Sequence, residues 1–176
     1  MINSHKLLIS EEKISEKVDS LAAGIAADLA GSSTIMVGLL NGSVVFLSDL
    51  MRRLFSHGLC LEIDFMAVES YRGSTTLPGH VEIVQDIRMD IAGRTVLLVD
   101  DIIDTGRTMS EVVHILEKRN PARILTCALL NKPSRREADI VLDYVGFEIE
   151  DKFVVGYGLD AGNMYRCMPY IATLEE

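Results

Sequence analysis

Residues 96–108, VLLVDDIIDTGRT, decide the fold. The stretch begins with four apolar residues, which predict a strand that is buried on both faces. Two adjacent carboxylates, Asp100 and Asp101, follow at once, and a loop with a third aspartate, a glycine and two threonines leads into a helical pattern. Ligands of an open α/β sheet bind beyond the carboxyl ends of its strands, so this strand–loop–helix predicts a binding site.

The loop has the features of a phosphate site. Gly106 allows the backbone to approach a ligand closely. The peptide N–H groups between Asp104 and Thr108, with the hydroxyls of Thr105 and Thr108, predict an anion cradle at a helix N-terminus. The GxxxxGK[ST] pattern of a Walker loop and the Gly-rich loop of kinases are absent, which argues against an NTPase or a kinase. An acidic turn before a capped helix is the alternative interpretation.

The paired carboxylates indicate a second feature of the ligand. Adjacent carboxylates at a strand end repel each other unless hydroxyls or a cation share them. A ribose 5-phosphate offers one phosphate for the loop and a vicinal diol for Asp100 and Asp101. The residues alone therefore predict a sugar phosphate as the ligand.

The rest of the chain alternates between strand and helix patterns. Apolar runs predict strands at 34–39, 59–65, 81–87, 95–99 and 123–130, with short strands around Val141 and at 153–155. Helical spacing predicts helices from the Ser10 cap to a stop at Gly31, from Val45 to Leu54, and over about 108–119. Continuous apolar strands between helices predict an α/β fold with a parallel sheet covered on both faces.

Composition narrows the function classes. The 176 residues are enough for one domain, and the net charge of -9 argues against a nucleic-acid partner, which needs a basic face. No apolar run is long and uninterrupted enough to predict a signal peptide or a membrane span. Cys60, Cys127 and Cys167 are widely spaced, which predicts buried inert thiols and a reducing compartment. We therefore expect a cytoplasmic protein with no membrane partner.

Residues 96–108 resemble the phosphoribosyl pyrophosphate signature of type I phosphoribosyltransferases. Further motifs, in the same order from about Leu7 onward, resemble the hypoxanthine(-guanine) branch of that family: 39–43, 63–65, 70–71, 131–133, 145–148 and 151–160. The resemblance implies a single domain over 1–176. Its core would be a parallel twisted sheet flanked by helices at about 10–140, with a small hood formed by about 1–9 and 141–176.

The resemblance assigns the residues of 96–108 to the phosphoribosyl group. Asp100 and Asp101 would contact the ribose hydroxyls, in part through Mg²⁺. Asp104 would lie near N7 of a purine as general acid or base. The 5-phosphate would be held by Thr105, Gly106, Arg107 and Thr108.

The resemblance assigns four residues to the purine. Lys132 would donate to the exocyclic O6, Phe153 would stack on the base, and Val154 would offer its backbone groups to the base edge. Asp160 would lie at this site and bind Mg²⁺ through water and pyrophosphate. A solvated loop lysine and a core aromatic are the alternatives for Lys132 and Phe153.

Two further segments are implied. Leu40, Asn41 and Gly42 match the pyrophosphate loop, where family members hold a non-proline cis peptide, and Arg166 matches a pyrophosphate-binding arginine with a surface ion pair as its alternative. Ser70 and Tyr71 match the mobile loop that closes over the reaction, with an ordinary exposed loop as the alternative.

The implied activity is purine salvage. The 5-phosphoribosyl group of phosphoribosyl pyrophosphate would pass to N9 of hypoxanthine, and of guanine, to give IMP or GMP and pyrophosphate, in a homodimer or homotetramer. A xanthine-preferring enzyme is one alternative. The other is a regulatory relative that binds RNA, but the pairs Arg52-Arg53 and Arg135-Arg136 are too small for the basic face it needs.

Overall fold

The computed structural model describes residues 5–70 and 81–174, apart from the side chain of Ser70. The strands are β1 (His5–Ile9), β2 (Thr34–Leu40), β3 (Glu62–Ser70), β4 (Val81–Gln85), β5 (Thr95–Ile103), β6 (Arg123–Asn131), β7 (Tyr144–Glu148), β8 (Val154–Val155) and β9 (Ile171–Leu174). The helices are α1 (Glu11–Leu29), α2 (Val44–Ser56), α3 (Arg107–Glu117) and a short 3-10 helix at Pro133–Arg135.

A six-stranded sheet forms the centre of the molecule, in the order β4-β3-β2-β5-β6-β7. Its strands pair in parallel except for β4, which lies antiparallel to β3 at one edge. The chain runs outward from β2 to β3 on one side and from β5 to β6 and β7 on the other. The strand order therefore reverses between β2 and β5, and such a switch point is where an open α/β sheet binds its ligand.

The sheet is buried on both faces, as its apolar strands predict. Along β5, Leu97 and Val99 pack in the core beside α1 and α2, whereas Val96 and Leu98 pack in the core beside α3. Alternate residues of a strand point to opposite faces, so the two cores lie on opposite sides of the sheet. The α/β fold with a mainly parallel sheet flanked by helices is confirmed.

The ends of the chain meet in a second sheet. Its three strands have the order β1-β9-β8 and pair antiparallel. Its strands come from the two end segments that were assigned to a hood, 1–9 and 141–176. β7, however, lies within the segment 141–176 assigned to the hood and pairs with β6 in the central sheet. The domain boundaries themselves stay a prediction.

Helix α1 forms as its sequence predicts. The Ser10 hydroxyl accepts a hydrogen bond from the Lys13 N–H at 3.4 Å, and the helix ends at Leu29, with Gly31 beyond it at φ 75°. Its apolar stripe is buried: Ile14, Val18, Leu21, Ala22, Ile25 and Leu29. This stripe packs α1 against α2 and the central sheet. Helix α1 directly follows β1 of the second sheet.

Several predicted bounds are wrong. The strand expected at 59–65 runs instead over Glu62–Ser70, because pairing with β2 begins at Glu62, and the residues before it only pack against the core. The strand expected around Val141 is absent from the described chain: Val141 is exposed and β7 begins at Tyr144. The strand expected at 153–155 is β8, which begins at Val154 and leaves Phe153 outside it. The strand expected at 81–87 is β4, which ends at Gln85.

Of the three cysteines that were predicted to be buried, one is buried in the structure. Cys127 is buried in β6, and burial raises the pKa of its thiol. Cys60 and Cys167 are exposed, because both lie in connections outside the sheets. Within the residues that are described, none of the helices has the length and apolar character needed to cross a membrane.

Candidate active site

Three segments of the predicted site meet at one edge of the central sheet. The turn that starts at Leu40 follows β2, residues 104–108 follow β5, and Lys132 follows β6. These strands are parallel neighbours, so their carboxyl ends lie side by side. The β2–β5 switch point is therefore surrounded by the residues that the sequence assigns to pyrophosphate, ribose phosphate and purine.

The paired carboxylates lie within β5, which continues to Ile103 and does not end before them as predicted. Asp100 accepts a hydrogen bond from the N–H of Asp101, and Asp101 accepts one from the N–H of Ile102, each at 2.9 Å. The Asp101 side chain is almost completely buried. This local bonding fixes both carboxyl groups relative to the strand.

Burial makes the charged state of this pair costly. It raises the pKa of Asp100 well above its ordinary value, and the charge of Asp101 raises that pKa further. Burial also raises the pKa of Asp101, while a hydrogen bond from the Asp100 carboxyl and the charge of Arg166 oppose the rise. The charged form of the pair is therefore disfavoured, and a cation or a pair of hydroxyls would stabilise it.

The turn after β2 packs directly on the acid pair. The Leu40–Asn41 peptide is cis, as the resemblance implies. The buried Ser43 hydroxyl donates to the carbonyl of Leu39, and the Val44 N–H donates to the carbonyl of Asn41 at 3.3 Å. A Cβ atom on Gly42 would overlap the Asp101 carboxylate, so only glycine permits this approach.

The loop after β5 ends in a helix start that suits an anion. Gly106 precedes α3 with φ 81°, a left-handed conformation that glycine adopts easily. The Thr105 hydroxyl accepts from the Arg107 N–H at 3.4 Å, and the Thr105 carbonyl accepts from the N–H of Glu137 at 2.9 Å. Arg107 forms an ion pair with Glu137 at 2.6 Å. The loop is therefore braced by the segment that follows β6, and Thr108 lies in the first turn of α3.

Asp104 has an unusual environment for a carboxylate. Its Oδ1 is buried and accepts no hydrogen bond, although Nε of Arg135 lies 2.9 Å away in an ion pair. The ion pair with Arg135 holds this oxygen, while the Asp104 side chain as a whole is 40% exposed, so a ligand could approach the carboxylate. The acid–base role that the resemblance implies for Asp104 stays a prediction.

Lys132 is buried and is not the solvated loop lysine of the alternative interpretation. Its side chain is 7% exposed, and its Nζ lies 3.6 Å from Oδ1 of Asp151. Its N–H donates to the carbonyl of Ile103 at 2.9 Å, which joins the end of β6 to the end of β5. Phe153 is exposed, so the alternative of a core aromatic fails as well, and Val154 is buried in β8.

Arg166 and Asp160 form a paired unit beside the acids. Nη2 of Arg166 lies 2.8 Å from Oδ1 of Asp160, and its Nη1 donates to the carbonyl of Gly158 at 2.6 Å. Asp160 also accepts from the N–H of Asn163 at 2.7 Å. Both side chains are 30% exposed, so a ligand could reach them.

One predicted segment lies mostly outside the described residues. Tyr71 is among the residues that the structure does not describe, and Ser70 is described only as the last residue of β3. The assignment of Ser70 and Tyr71 to a mobile loop therefore stays a prediction.

Sequence reasoning missed the charged residues that surround Asp104 and Lys132. In sequence, Arg135 and Arg136 indicate only a small basic pair, and no local pattern marks Asp151. In the structure Arg135 contacts both Asp104 and Asp151, and Arg136 donates to the side chain of Asn131. Two adjacent arginines directly after the lysine motif were the available signal, but the partners of Arg135, Asp104 and Asp151, lie far away in sequence.

Known proteins are similar to this chain in sequence. The family described as phosphoribosyl transferase domain matches residues 8–161. The hypoxanthine-guanine phosphoribosyltransferase of Bacillus subtilis (strain 168) is 43% identical over 170 residues, which cover 97% of this chain and 93% of the relative. That of Streptococcus pneumoniae (strain ATCC BAA-255 / R6) is 43% identical over 171 residues, with the same coverage.

Solved structures agree with the sequence relatives. A crystal structure of a hypoxanthine phosphoribosyltransferase from Staphylococcus aureus superposes with a TM-score of 0.91 at 42% identity, over 97% of this chain and 91% of the other. The matched residues include the whole of the β5–α3 site and both flanking strands. The chain belongs to the phosphoribosyl transferase family.

Proposed function

We propose that this protein transfers the 5-phosphoribosyl group from phosphoribosyl pyrophosphate to N9 of hypoxanthine, and of guanine, giving IMP or GMP and pyrophosphate. The observation that carries the proposal is the Asp100–Asp101 pair, with Asp101 buried, next to the helix start at Gly106 and beside the buried Lys132 on the neighbouring strand end. The relatives named hypoxanthine-guanine phosphoribosyltransferase support the choice of substrates.

The phosphoribosyl group is bound through complementary chemistry at its two ends. Asp100 and Asp101 accept hydrogen bonds from the ribose hydroxyls, and these stabilise the charged form that burial disfavours. The N–H groups of residues 105–108 and the hydroxyls of Thr105 and Thr108 hold the 5-phosphate at the N-terminus of α3. Arg107, beside Glu137, adds a cation to this cradle.

The acid pair also fits Mg²⁺. In the described ranges, no three His, Cys, Asp or Glu side chains come together as a complete metal cage. Mg²⁺ is commonly held by one or two carboxylates together with substrate phosphates, and a buried carboxyl pair with raised pKa values suits that mode. Asp100 and Asp101 would hold one ion, and Asp160 would hold another through water and pyrophosphate. Bound Mg²⁺ would neutralise charge on the pyrophosphate leaving group.

The purine is held by groups that match its edge. Lys132 donates to O6, Phe153 stacks on the ring, and the backbone of Val154 meets the remaining edge. Asp104 takes or gives the proton at N7 through its carboxylate, which is 40% exposed and is held by Arg135. Adenine carries an amino group where the 6-oxopurines carry O6, so a donor at this position favours the 6-oxopurines.

Pyrophosphate leaves from the side of the β2 turn. The peptide groups of Leu40, Asn41 and Gly42 and the guanidinium of Arg166 contact it. As the bond to C1 of the ribose breaks, positive charge develops on the sugar, as in glycoside chemistry. The carboxylates of Asp100 and Asp101 stabilise that charge, and the burial of Asp101 strengthens the interaction.

We further propose that the protein is a cytoplasmic homodimer or homotetramer, as the family resemblance implies. Light scattering of the purified chain tests the assembly: a mass of two or four chains supports it, and a monomer contradicts it.

Initial rates with phosphoribosyl pyrophosphate, Mg²⁺ and each of hypoxanthine, guanine, xanthine and adenine test the function. Transfer to hypoxanthine and guanine supports the proposal. A clear preference for xanthine would contradict it and indicate a xanthine-preferring phosphoribosyltransferase. Filter binding of RNA at moderate salt is the companion assay. Tight RNA binding without transfer would favour the regulatory alternative and contradict the proposal.

A further inference from the structure

Arg135 joins two carboxylates at the site. It lies in the short 3-10 helix after β6, with its Nε 2.9 Å from Oδ1 of Asp104. Its Nη1 donates to both oxygens of Asp151, at 3.3 and 3.5 Å. The planar guanidinium thus fixes two acids, Asp104 and Asp151, that lie far apart in sequence. Bridging of this kind is a geometry that arginine makes and lysine does not.

Asp151 in turn contacts the lysine at the end of β6. Its Oδ1 lies 3.6 Å from Nζ of Lys132, the same oxygen that accepts from Arg135. The charges therefore alternate in a row: Asp104, Arg135, Asp151, Lys132. One end of this row is the acid–base group, and the other end is the donor to O6.

Arg135 is the cation that orients Asp104. Within the part of the chain that the structure describes, the ion pair with Arg135 is the one ion pair of that carboxylate, and Oδ1 has no hydrogen bond that would otherwise fix its rotation. Arg136 approaches from the backbone side and donates to the Asp104 carbonyl at 3.4 Å. Arg136 feels the charge of Asp104, but the ion pair with the carboxylate is made by Arg135.

The two ends of the row match a fixed spacing in the base. N7 and O6 of a 6-oxopurine lie on the same edge, so a proton-transferring carboxylate at N7 and an ammonium at O6 must be held at one separation. We propose that Arg135 is a positioning residue that sets this separation, by orienting Asp104 directly and Lys132 through Asp151. The inference rests on the proposed function, because it assigns Asp104 and Lys132 to N7 and O6.

If Arg135 served only to stabilise the fold, its loss would lower the melting temperature. The side chains of Arg135, Asp104 and Asp151 are 45%, 40% and 49% exposed, and ion pairs at that exposure contribute little to folding. Loss of Arg135 should therefore leave the melting temperature almost unchanged while it lowers turnover. Arg119 offers a matched control, since it pairs with Asp86 at 2.8 Å beyond the far end of α3.

Steady-state kinetics of Arg135→Ala, Arg135→Lys and Arg119→Ala test the role. We expect Arg135→Ala to lower kcat about tenfold or more and to raise KM for hypoxanthine, with KM for phosphoribosyl pyrophosphate within about twofold of normal. Arg135→Lys should recover part of kcat, because it restores a cation but not the bridge. Arg119→Ala should match the unaltered protein.

A double variant separates positioning from an independent effect. If Arg135 acts through Asp104, then Arg135→Ala added to Asp104→Asn should lower kcat no further than Asp104→Asn alone. A multiplicative loss in the double variant, or an unchanged kcat and hypoxanthine KM in Arg135→Ala, would overturn the positioning role while the proposed function stands. No transfer by the unaltered protein would instead overturn the proposed function and this role with it.

Discussion

Gly42 and Asp101 are in direct contact: the α-carbon of Gly42, in the turn after β2, lies so close to the Asp101 carboxylate that a Cβ atom would overlap it. Gly42 follows β2 and Asp101 lies in β5, the two parallel strands on either side of the switch point. The turn assigned to pyrophosphate and the acids assigned to ribose therefore form one packed unit, and a change in one must move the other.

This contact predicts the effect of Gly42→Ala. The new methyl group must displace the buried carboxylate or the turn, which costs about 1–3 kcal/mol of folding free energy and misplaces both binding groups. We expect a lower denaturation midpoint and a higher KM for phosphoribosyl pyrophosphate. Gly24→Ala is the control, because Gly24 lies in α1 with open space around it, and alanine there should stabilise the helix. Equal behaviour of the two variants would refute the contact.

Asp104→Asn should depress turnover without preventing substrate binding. The amide keeps the shape of the side chain but cannot exchange a proton with N7, so kcat should fall about 10²–10⁴-fold. Calorimetric titration with phosphoribosyl pyrophosphate and Mg²⁺ should give nearly the affinity of the unaltered protein. An unchanged kcat would remove Asp104 from acid–base chemistry.

Lys132→Ala should relax the preference for 6-oxopurines over adenine. The variant removes the donor assigned to O6 and leaves Asp151 without that partner, so the ratio of kcat/KM for hypoxanthine and adenine should fall at least about tenfold. Lys118→Ala, at an exposed lysine after α3, serves as the control and should keep the ratio. A preserved ratio in Lys132→Ala would discredit the assignment to O6.

Asp64 predicts a pH dependence of stability. Burial opposes the ionised form of this carboxyl, but the N–H groups of Met89, Phe65 and Arg88 outweigh burial and lower its pKa. A depressed native pKa stabilises the fold above the unfolded-state pKa of about 4, and this contribution is lost as pH falls through the native pKa.

The matched variants for that prediction are Asp64→Asn and Asp90→Asn. Asp64→Asn places an amide against backbone donors and should cost about 1–3 kcal/mol in urea unfolding near pH 7, with a smaller difference from the unaltered protein near pH 3. Asp90 accepts one exposed hydrogen bond, from the Ala92 N–H at 3.0 Å, so Asp90→Asn should change little. A cost for Asp64→Asn that does not shrink in acid would contradict the pKa argument.

The sequence predicts those parts of the fold that depend on local patterns. The stripe of α1 and the apolar run of β5 carry their periodicity within a few residues, so both elements form where they are expected. The strand expected around Val141 fails because pairing with β6, and not the local pattern, decides that β7 begins at Tyr144. β5 likewise continues past its apolar run because β6 offers backbone partners as far as Asn131.

The candidate site likewise has one part that the sequence predicts and one part that only the fold brings together. Asp100, Asp101 and Gly106 stand together in one motif, so their proximity follows from the sequence. The row from Asp104 to Lys132 through Arg135 and Asp151 does not, because its members come from three separate segments and meet only after the sheet has formed. The raised pKa values of the acid pair also depend on burial, which the motif alone does not specify.

The central claim is that the end of β5 holds a ribose phosphate, with the carboxylates on the sugar and the peptide N–H groups on the phosphate. A crystal structure of this protein with IMP tests it most directly. The account predicts both ribose hydroxyls within hydrogen-bond distance of Asp100 and Asp101, and the phosphate at the N–H groups of residues 105–108. A nucleotide bound away from β5, or bound there with its phosphate against the carboxylates, would contradict it.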